Sequence, residues 1–327
     1  MSEVRDSIFN GVLKKLVSHK KILCVGMANV DNILICPSYP REDSDERSII
    51  DQRTQVGGNA ANNCTVLAAL GIKCEFLGSL SNCSNTNFII EHFKSAGICF
   101  DRCVYHAAHF GDRVFPNTTI IINDVNGSRT ILHFARKWPE ITLEDFKKVD
   151  LSEYSWIHFE GRNISCVKSM VQYIESWKAV NPSSSLRVSV ELEMGKEETA
   201  DLIPLGDVVV IGKDYAVYKG CHTMFETLEH VIPLTKSGAS VIVPWGELGA
   251  VARSADGTFA RTPAYSPPRV IDTLGAGDTF CAATIAALNS GCTLHEGITF
   301  GCQIAGAKVG MHGYDGLKIY SKSFHTS

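Results

Sequence analysis

Long apolar runs are missing. No stretch of the 327-residue chain approaches the ~18–20 apolar residues that a membrane-spanning helix needs. No G-x-x-x-x-G-K-[ST] string occurs, which excludes a P-loop nucleotide site. The first apolar run ends in Cys24-Val25-Gly26-Met27-Ala28-Asn29, without the G-x-G-x-x-G turn of a dinucleotide-binding fold. The 12 cysteines include no C-x-x-C pair, no P-C-x-x-C string and no zinc-type histidine spacing. Many lie in apolar stretches, among them Cys24, Cys64 and Cys281, so they read as small buried hydrophobes of a reducing compartment. Net charge is only -4, and Lys and Arg are scattered without a basic stripe. That argues against nucleic acid as the main partner. The N-terminus carries no signal-peptide pattern, and the expectation is a cytoplasmic protein without a membrane partner.

What is present is a globular composition, with 45% hydrophobic and 20% charged residues. The length suits one large α/β domain with room for a small appendage. Short apolar runs at Ile22–Gly26, Trp156–Phe159, Val188–Val190, Val208–Ile211 and Val241–Val243 read as buried parallel strands. Helix-like segments follow, at Asn59–Ala69, Ser165–Trp177 and Asp278–Asn289. The alternation predicts a doubly wound, mainly parallel sheet flanked by helices.

Two stretches break the rhythm. Asn32–Gln55 holds strand-like pieces around the polar cluster Arg41–Arg47. Asn117–Phe134 reads as a hairpin, Thr119–Asn123 and Arg129–Phe134 about a turn at Asn126-Gly127. Together they predict a small β lid or clasp that closes over a site and excludes water. The expected organisation is an extension over 1–20, a main domain over 21–317 interrupted by the lid at about 32–55 and 117–134, and a polar tail over 318–327. Within 1–20, Ile8, Phe9, Leu13 and Leu16 alternate with charged residues as in a short amphipathic helix, read as a surface extension.

The strongest chemical signal is Asp272-Thr273-Leu274-Gly275-Ala276-Gly277-Asp278-Thr279-Phe280. Small residues at 275–277 allow a tight turn and close ligand approach. A helix beginning there offers N–H groups and a positive dipole end to an anion such as a phosphoryl group in transfer. A carboxylate beside that hole can take a hydroxyl proton. On residue type alone, a Gly-rich turn with an N-terminal Asp is an equal alternative. A second signal is Gly57-Gly58-Asn59-Ala60-Ala61-Asn62, where two amides that both donate and accept lie one helical turn apart. A third is Asp31, past the end of the first strand, where open α/β sheets bind ligands.

The two glycine motifs, in this order, resemble the signatures of the ribokinase family of carbohydrate kinases. Further blocks narrow the resemblance to its ketohexose-phosphorylating members, from about Lys21 to about Gly316. They are Ile22–Gly26, Tyr39–Ser44, Asn126–Ile131, Trp156–Asn163, Pro267–Val270, Phe300–Gln303 and Ala305-Gly306. The resemblance implies transfer of the ATP γ-phosphoryl group to D-fructose, giving fructose 1-phosphate, with Mg²⁺ and with K⁺ as a candidate activator. It implies Asp278 as base, with Gly275, Ala276 and Gly277 as the anion hole. Asp31, Gly58, Asn59 and Asn62 would meet the sugar, joined by Asp43 from the partner in a homodimer whose lids clasp. Arg129, Lys213, Gly249, Pro267, Pro268, Cys302 and Ala305 would line the nucleotide site beside Gly275 and Gly277.

Read without the resemblance, Arg129 is a hairpin arginine that serves solvent or phosphate, and Cys302 a buried wall thiol. Arg162 serves phosphate or an ion pair equally well. Two departures stand out. Lys213-Asp214-Tyr215-Ala216 replaces the Asn-x-x-Glu of many relatives, leaving Glu191, Glu193 and Glu247 as magnesium candidates or plain surface carboxylates. Phe115-Pro116, within Gly111–Pro116, replaces small residues expected near the sugar. A ribose, nucleoside or other sugar kinase is the alternative within the family, and a non-catalytic sugar-binding regulator the alternative outside it.

Overall fold

The structure, a computed structural model, describes residues 2–16, 20–44, 49–107, 115–125, 127–134 and 138–321, with side chains from residue 7 onward. Asn126, residues 45–47 of the predicted polar cluster, 111–114 and 322–327 lie outside the described residues.

An eight-stranded sheet organises the chain. Its order is Phe259–Thr262, Ala250–Arg253, Ser240–Pro244, Val208–Ile211, Arg187–Leu192, Tyr154–Glu160, Lys21–Val25 and Cys74–Leu77. The six strands from Ser240–Pro244 to Cys74–Leu77 run parallel, and the two at the other edge are antiparallel. The parallel strands are apolar runs because both faces are covered, and successive side chains alternate between two cores. Ile22 and Cys24 enter one core, Leu23 and Val25 the other. Trp156, Val208 and Val210 follow the first pair, while Ile157, Phe159, Val209 and Ile211 follow the second.

Helices Asn59–Ala69, Ala276–Asn289 and Leu294–Val309 cover the first face. Helices Ile164–Val180 and Met224–Val231 cover the second. The N-terminal amphipathic stretch forms helix Ser2–Lys15 and packs against Leu294–Val309. Val12, Leu13 and Leu16 are buried there, and Phe9 stacks between Phe300 and Tyr320 at 5.5 and 5.3 Å. At the junction with the tail, Asp315–Tyr320 forms a 3₁₀ turn that buries Leu317.

The predicted lid is a separate four-stranded sheet, ordered Asp51–Gly57, Asn29–Cys36, Asn117–Asn123 and Arg129–Phe134. The first and last pairs are antiparallel and the central pair parallel. Ile33 and Ile120 bury themselves on Leu274, so the lid rests on the loop of the strongest motif. The last strand stays exposed on both faces, including Ile131, Leu132 and Phe134.

Candidate active site

Helix Ala276–Asn289 begins on Gly275, whose φ of 71° lies in the left-handed region. A side chain there would also strike the Tyr314 hydroxyl. The position therefore requires glycine for two reasons. Gly277 is different: a methyl group there meets no protein atom within 4 Å, and the residue is exposed beside buried Asp278. First-turn amides have no intrahelical acceptor, so those of Gly277 and Asp278 are available to an anion.

Asp278 is 9% exposed. Asn62 Nδ2 donates to its Oδ2 at 2.6 Å, and Asn63 Nδ2 donates to its main-chain oxygen at 3.0 Å. These bonds tie the two glycine motifs together. Burial raises the Asp278 carboxyl well above the ordinary carboxylate range, and the charges of Glu191 and Glu193 push it further. Glu191 is itself pushed up to about 8 by burial, then by Glu193 and Glu160. A row of carboxylates thus faces the helix N-terminus from adjacent strand ends. Glu160 Oε2 accepts from the Met27 amide at 2.8 Å, which fixes the turn after the first strand.

Asp31 is buried on Asn29–Cys36, and Asn29 Nδ2 donates to its Oδ1 at 2.7 Å. Burial raises this carboxyl, with the Asn29 and Thr118 bonds working against the rise. Gly57 passes so close that a side chain would collide with the Asp31 carboxylate. Gly58 has φ 93° and faces the Met27 carbonyl with no room for a side chain. Asn59 Nδ2 donates to Glu193 Oε2 at 2.6 Å. The two amides of that motif, expected on one sugar-facing side, therefore have separate carboxylate partners, Glu193 and Asp278.

Arg129 crosses from the lid to donate from Nη1 to Thr273 Oγ1 at 2.8 Å. It lies against the strongest motif. Lys213 starts helix Lys213–Tyr218 with its ammonium 5.6 Å from the Trp245 ring centre. Gly249 closes a turn at φ 88°, against the Thr262 carbonyl. Cys302 and Ala305 lie on Leu294–Val309, whose end packs near Pro267 at Gly310; Pro268 is exposed beside it. Asp43 is exposed on the lid with φ 56°. Arg162 serves as an ion-pair residue: Nε and Nη2 reach Glu140 at 3.0 Å each, and Nη1 reaches Glu160 at 3.2 Å. Phe115 is buried edge-on against Trp138 at 5.2 Å, so it is a packing residue. Glu247 is exposed in the turn Gly246–Leu248.

One cluster has no simple sequence signal. Asp272 Oδ2 pairs with Lys308 and with Arg53 at 3.0 Å each, and its Oδ1 accepts from the Leu274 amide at 3.0 Å. Lys308 also donates to the Asp272 main-chain oxygen at 3.0 Å. Arg53 belongs to the lid, so the lid, the loop and Leu294–Val309 meet at one carboxylate. A lone lysine in the last turn of a largely apolar helix is the only hint in the sequence.

A family model described as pfkB family carbohydrate kinase matches residues 19–317. The chain is 42% identical over 302 residues to ketohexokinase of Mus musculus, covering 92% of this chain and 100% of that one. It is 21% identical over 270 residues to 5-dehydro-2-deoxygluconokinase of Clostridium perfringens, covering 79% of each. Among solved structures, ribokinase from Giardia lamblia superposes with a TM-score of 0.78 at 18% identity, covering 94% of this chain and 98% of that chain. Arabidopsis thaliana ribokinase, complexed with ribose and ATP, superposes with a TM-score of 0.75 at 18% identity over 95% and 100%.

Proposed function

The chain belongs to the pfkB family of carbohydrate kinases, and from that premise we propose that it phosphorylates a ketohexose, D-fructose, at the 1-hydroxyl. It is an ATP-dependent carbohydrate kinase. The choice of ketohexose rests on the full-length relationship to the mouse enzyme. The observation that carries the mechanism is the buried Asp278 carboxyl, held by Asn62 beside the exposed amides at the start of its helix.

In this reading Asp31, Gly58, Asn59 and Asn62 bind the sugar hydroxyls. The 1-hydroxyl oxygen attacks the γ-phosphorus, forming a new P–O bond as the bond to the β-phosphate oxygen breaks. Asp278 takes the hydroxyl proton, and ADP leaves. The amides following Gly275, with Ala276 and Gly277, hold the charge that grows on the transferred group. Arg129 and Lys213 face the phosphates, and Gly249, Pro267, Pro268, Cys302 and Ala305 border the base. Glu191 and Glu193 raise the Asp278 carboxyl by their charge, so a nearby cation would relieve the strain among the three. Oxygen donors suit Mg²⁺, and exposed Glu193 is the residue we assign to it. When bound, the ion screens phosphate charge. Sugar-dependent ADP release measured across fructose, tagatose, ribose, glucose and adenosine tests the substrate class. The highest kcat/KM should fall on a ketohexose; a preference for ribose or adenosine would reject it.

Gly277→Ala separates the anion hole from the fold. Its methyl group touches no protein atom, and alanine favours a helix by about 1 kcal/mol over glycine. The melting temperature should therefore hold or rise while kcat falls about 10-fold or more, from crowding of the transferred phosphate. Unchanged kcat would remove the first turn from the phosphate site.

We also propose that two copies clasp through their lids. The exposed Ile131, Leu132 and Phe134, together with the open sheet edges, form a surface that a partner sheet would cover. Asp43 would then act at the partner's sugar site. Sedimentation velocity should give a dimer that Leu132→Lys converts to monomer, with a raised sugar KM. A fully active wild-type monomer would contradict the clasp.

A further inference from the structure

Behind Asp278 lies a group of which the phosphoryl-transfer reading uses only the charge of Glu191. His158 stands on Tyr154–Glu160, Glu191 on the neighbouring strand Arg187–Leu192, and Cys281 on the helix that carries Asp278, one turn further on. All three are buried, and one ligand atom from each lies within 4.8 Å of the others. His158 Nε2 is 3.8 Å from Cys281 Sγ and 3.6 Å from Glu191 Oε2. We propose that His158, Glu191 and Cys281 form a binding site for one zinc-class divalent cation.

The spacing supports this directly. Tetrahedral zinc binds sulfur at about 2.3 Å and nitrogen or oxygen at about 2.0–2.2 Å, which separates its ligand atoms by roughly 3.3–3.8 Å. Both His158 separations fall in or beside that interval, and the Cys281 and Glu191 ligand atoms lie within 4.8 Å of each other, so small side-chain shifts gather the three around one cation.

The surrounding hydrogen bonds orient the ligands. Trp156 Nε1 donates to Ser189 Oγ at 2.7 Å, and His158 Nδ1 lies 2.8 Å from the same oxygen. With Nδ1–H donating to Ser189, Nε2 presents its lone pair to Cys281 and Glu191, as a metal-binding histidine requires. Burial lowers the imidazole to about 4, so it is neutral at physiological pH. Glu191, 7% exposed, leaves its Oε2 without a hydrogen-bond partner while aiming it at this group. A buried carboxyl oxygen without a hydrogen-bond partner, set beside a thiol and an imidazole, is a ready ligand for a cation that displaces the carboxyl proton.

The donor set also names the metal class. Sulfur with nitrogen favours zinc and its softer neighbours, whereas Mg²⁺ takes oxygen alone. This site is therefore chemically distinct from the oxygen-only set assigned to Mg²⁺ at Glu193, and it does not rest on the sugar assignment. On binding, the Cys281 S–H bond and the Glu191 carboxyl O–H bond break, bonds from sulfur and oxygen to the metal form, and both protons leave to solvent. No electron changes hands.

Co²⁺ reports such a site by absorbance. Full-length protein stripped of metal by chelation should bind one equivalent of Co²⁺. The spectrum should gain a thiolate-to-cobalt charge-transfer band and tetrahedral d–d bands, and added Zn²⁺ should abolish both. Cys281→Ala should lose both features, while Cys83→Ala, which changes a thiol outside the group, should keep them. Cys281→Ser preserves side-chain volume, so it guards against misfolding. Folded by circular dichroism, it should lose the charge-transfer band and weaken Zn²⁺ binding by about 10-fold or more. Absence of the band in the wild type, its persistence in Cys281→Ala, or full zinc affinity in folded Cys281→Ser would overturn the proposal.

Discussion

Replacing Asp278 by Asn should lower kcat by roughly 10²–10⁴-fold, the range a positioned general base supplies. The amide keeps the side chain's size and can still bond to Asn62, but it cannot take the proton of the attacking hydroxyl. ATP and sugar affinities should change little. A loose transition state needs less help from a base, which places the loss toward the low end. The pH profile adds a second signature. Asp278 works only when ionised, and burial with neighbouring Glu191 and Glu193 raises its pKa well above the ordinary carboxylate range. Wild-type kcat should therefore fall as pH drops through that raised value, and the residual rate of Asp278→Asn should show no such limb. Single-turnover transfer at saturating ATP and sugar is the measurement. A folded variant with a wild-type chemical step would place the base elsewhere.

Asp272→Asn should cost about 3–5 kcal/mol of stability, because it leaves the buried Lys308 ammonium without its counter-charge. Lys308 is 1% exposed and cannot turn to water without opening its helix. Activity should fall as well, since Asp272 also holds the Leu274 amide and the lid residue Arg53. Burial alone would raise the Asp272 carboxyl. Lys308, the loop amide and Arg53 outweigh it and hold the carboxyl below its usual range. A depressed folded-state pKa gives stability that is present above the unfolded value and lost as pH falls through the folded one. The gap between wild type and Asp272→Asn should therefore narrow in acid. Denaturant unfolding across pH checks both points, and a pH-independent penalty under 1 kcal/mol would show the cluster to be incidental.

The sequence was most readable where local chemistry dictates the outcome. Unbroken apolar runs such as Val208–Ile211 mark strands covered on both faces, and the structure distributes their side chains to two cores as period two demands. Gly275 stood out as part of the small-residue run 275–277, and the structure supplies the reason: its left-handed backbone angle and the adjacent Tyr314 leave no room for a side chain. The hairpin Asn117–Phe134 was visible from its turn and β-rich composition. Partner choice was not visible. Nothing periodic tells Asn62 to bond Asp278 and Asn59 to bond Glu193, or brings Arg53 and Lys308 to one carboxylate. Arg162 had two equal readings until Glu140, far from it in local pattern, appeared opposite its guanidinium. Phe115, which stands where small residues were expected near the sugar, is buried edge-on against Trp138, a contact its position in the sequence did not announce. Such pairings depend on how distant segments meet after folding, which residue type and spacing do not encode.

The identity of the reaction product tests the central claim most directly. Wild-type protein incubated with D-fructose, ATP and Mg²⁺ should yield ADP and a single sugar phosphate, whose phosphorus NMR coupling places the phosphate on C1. Phosphate on C6, or no sugar-dependent ADP from fructose alongside turnover of ribose or adenosine, would contradict it.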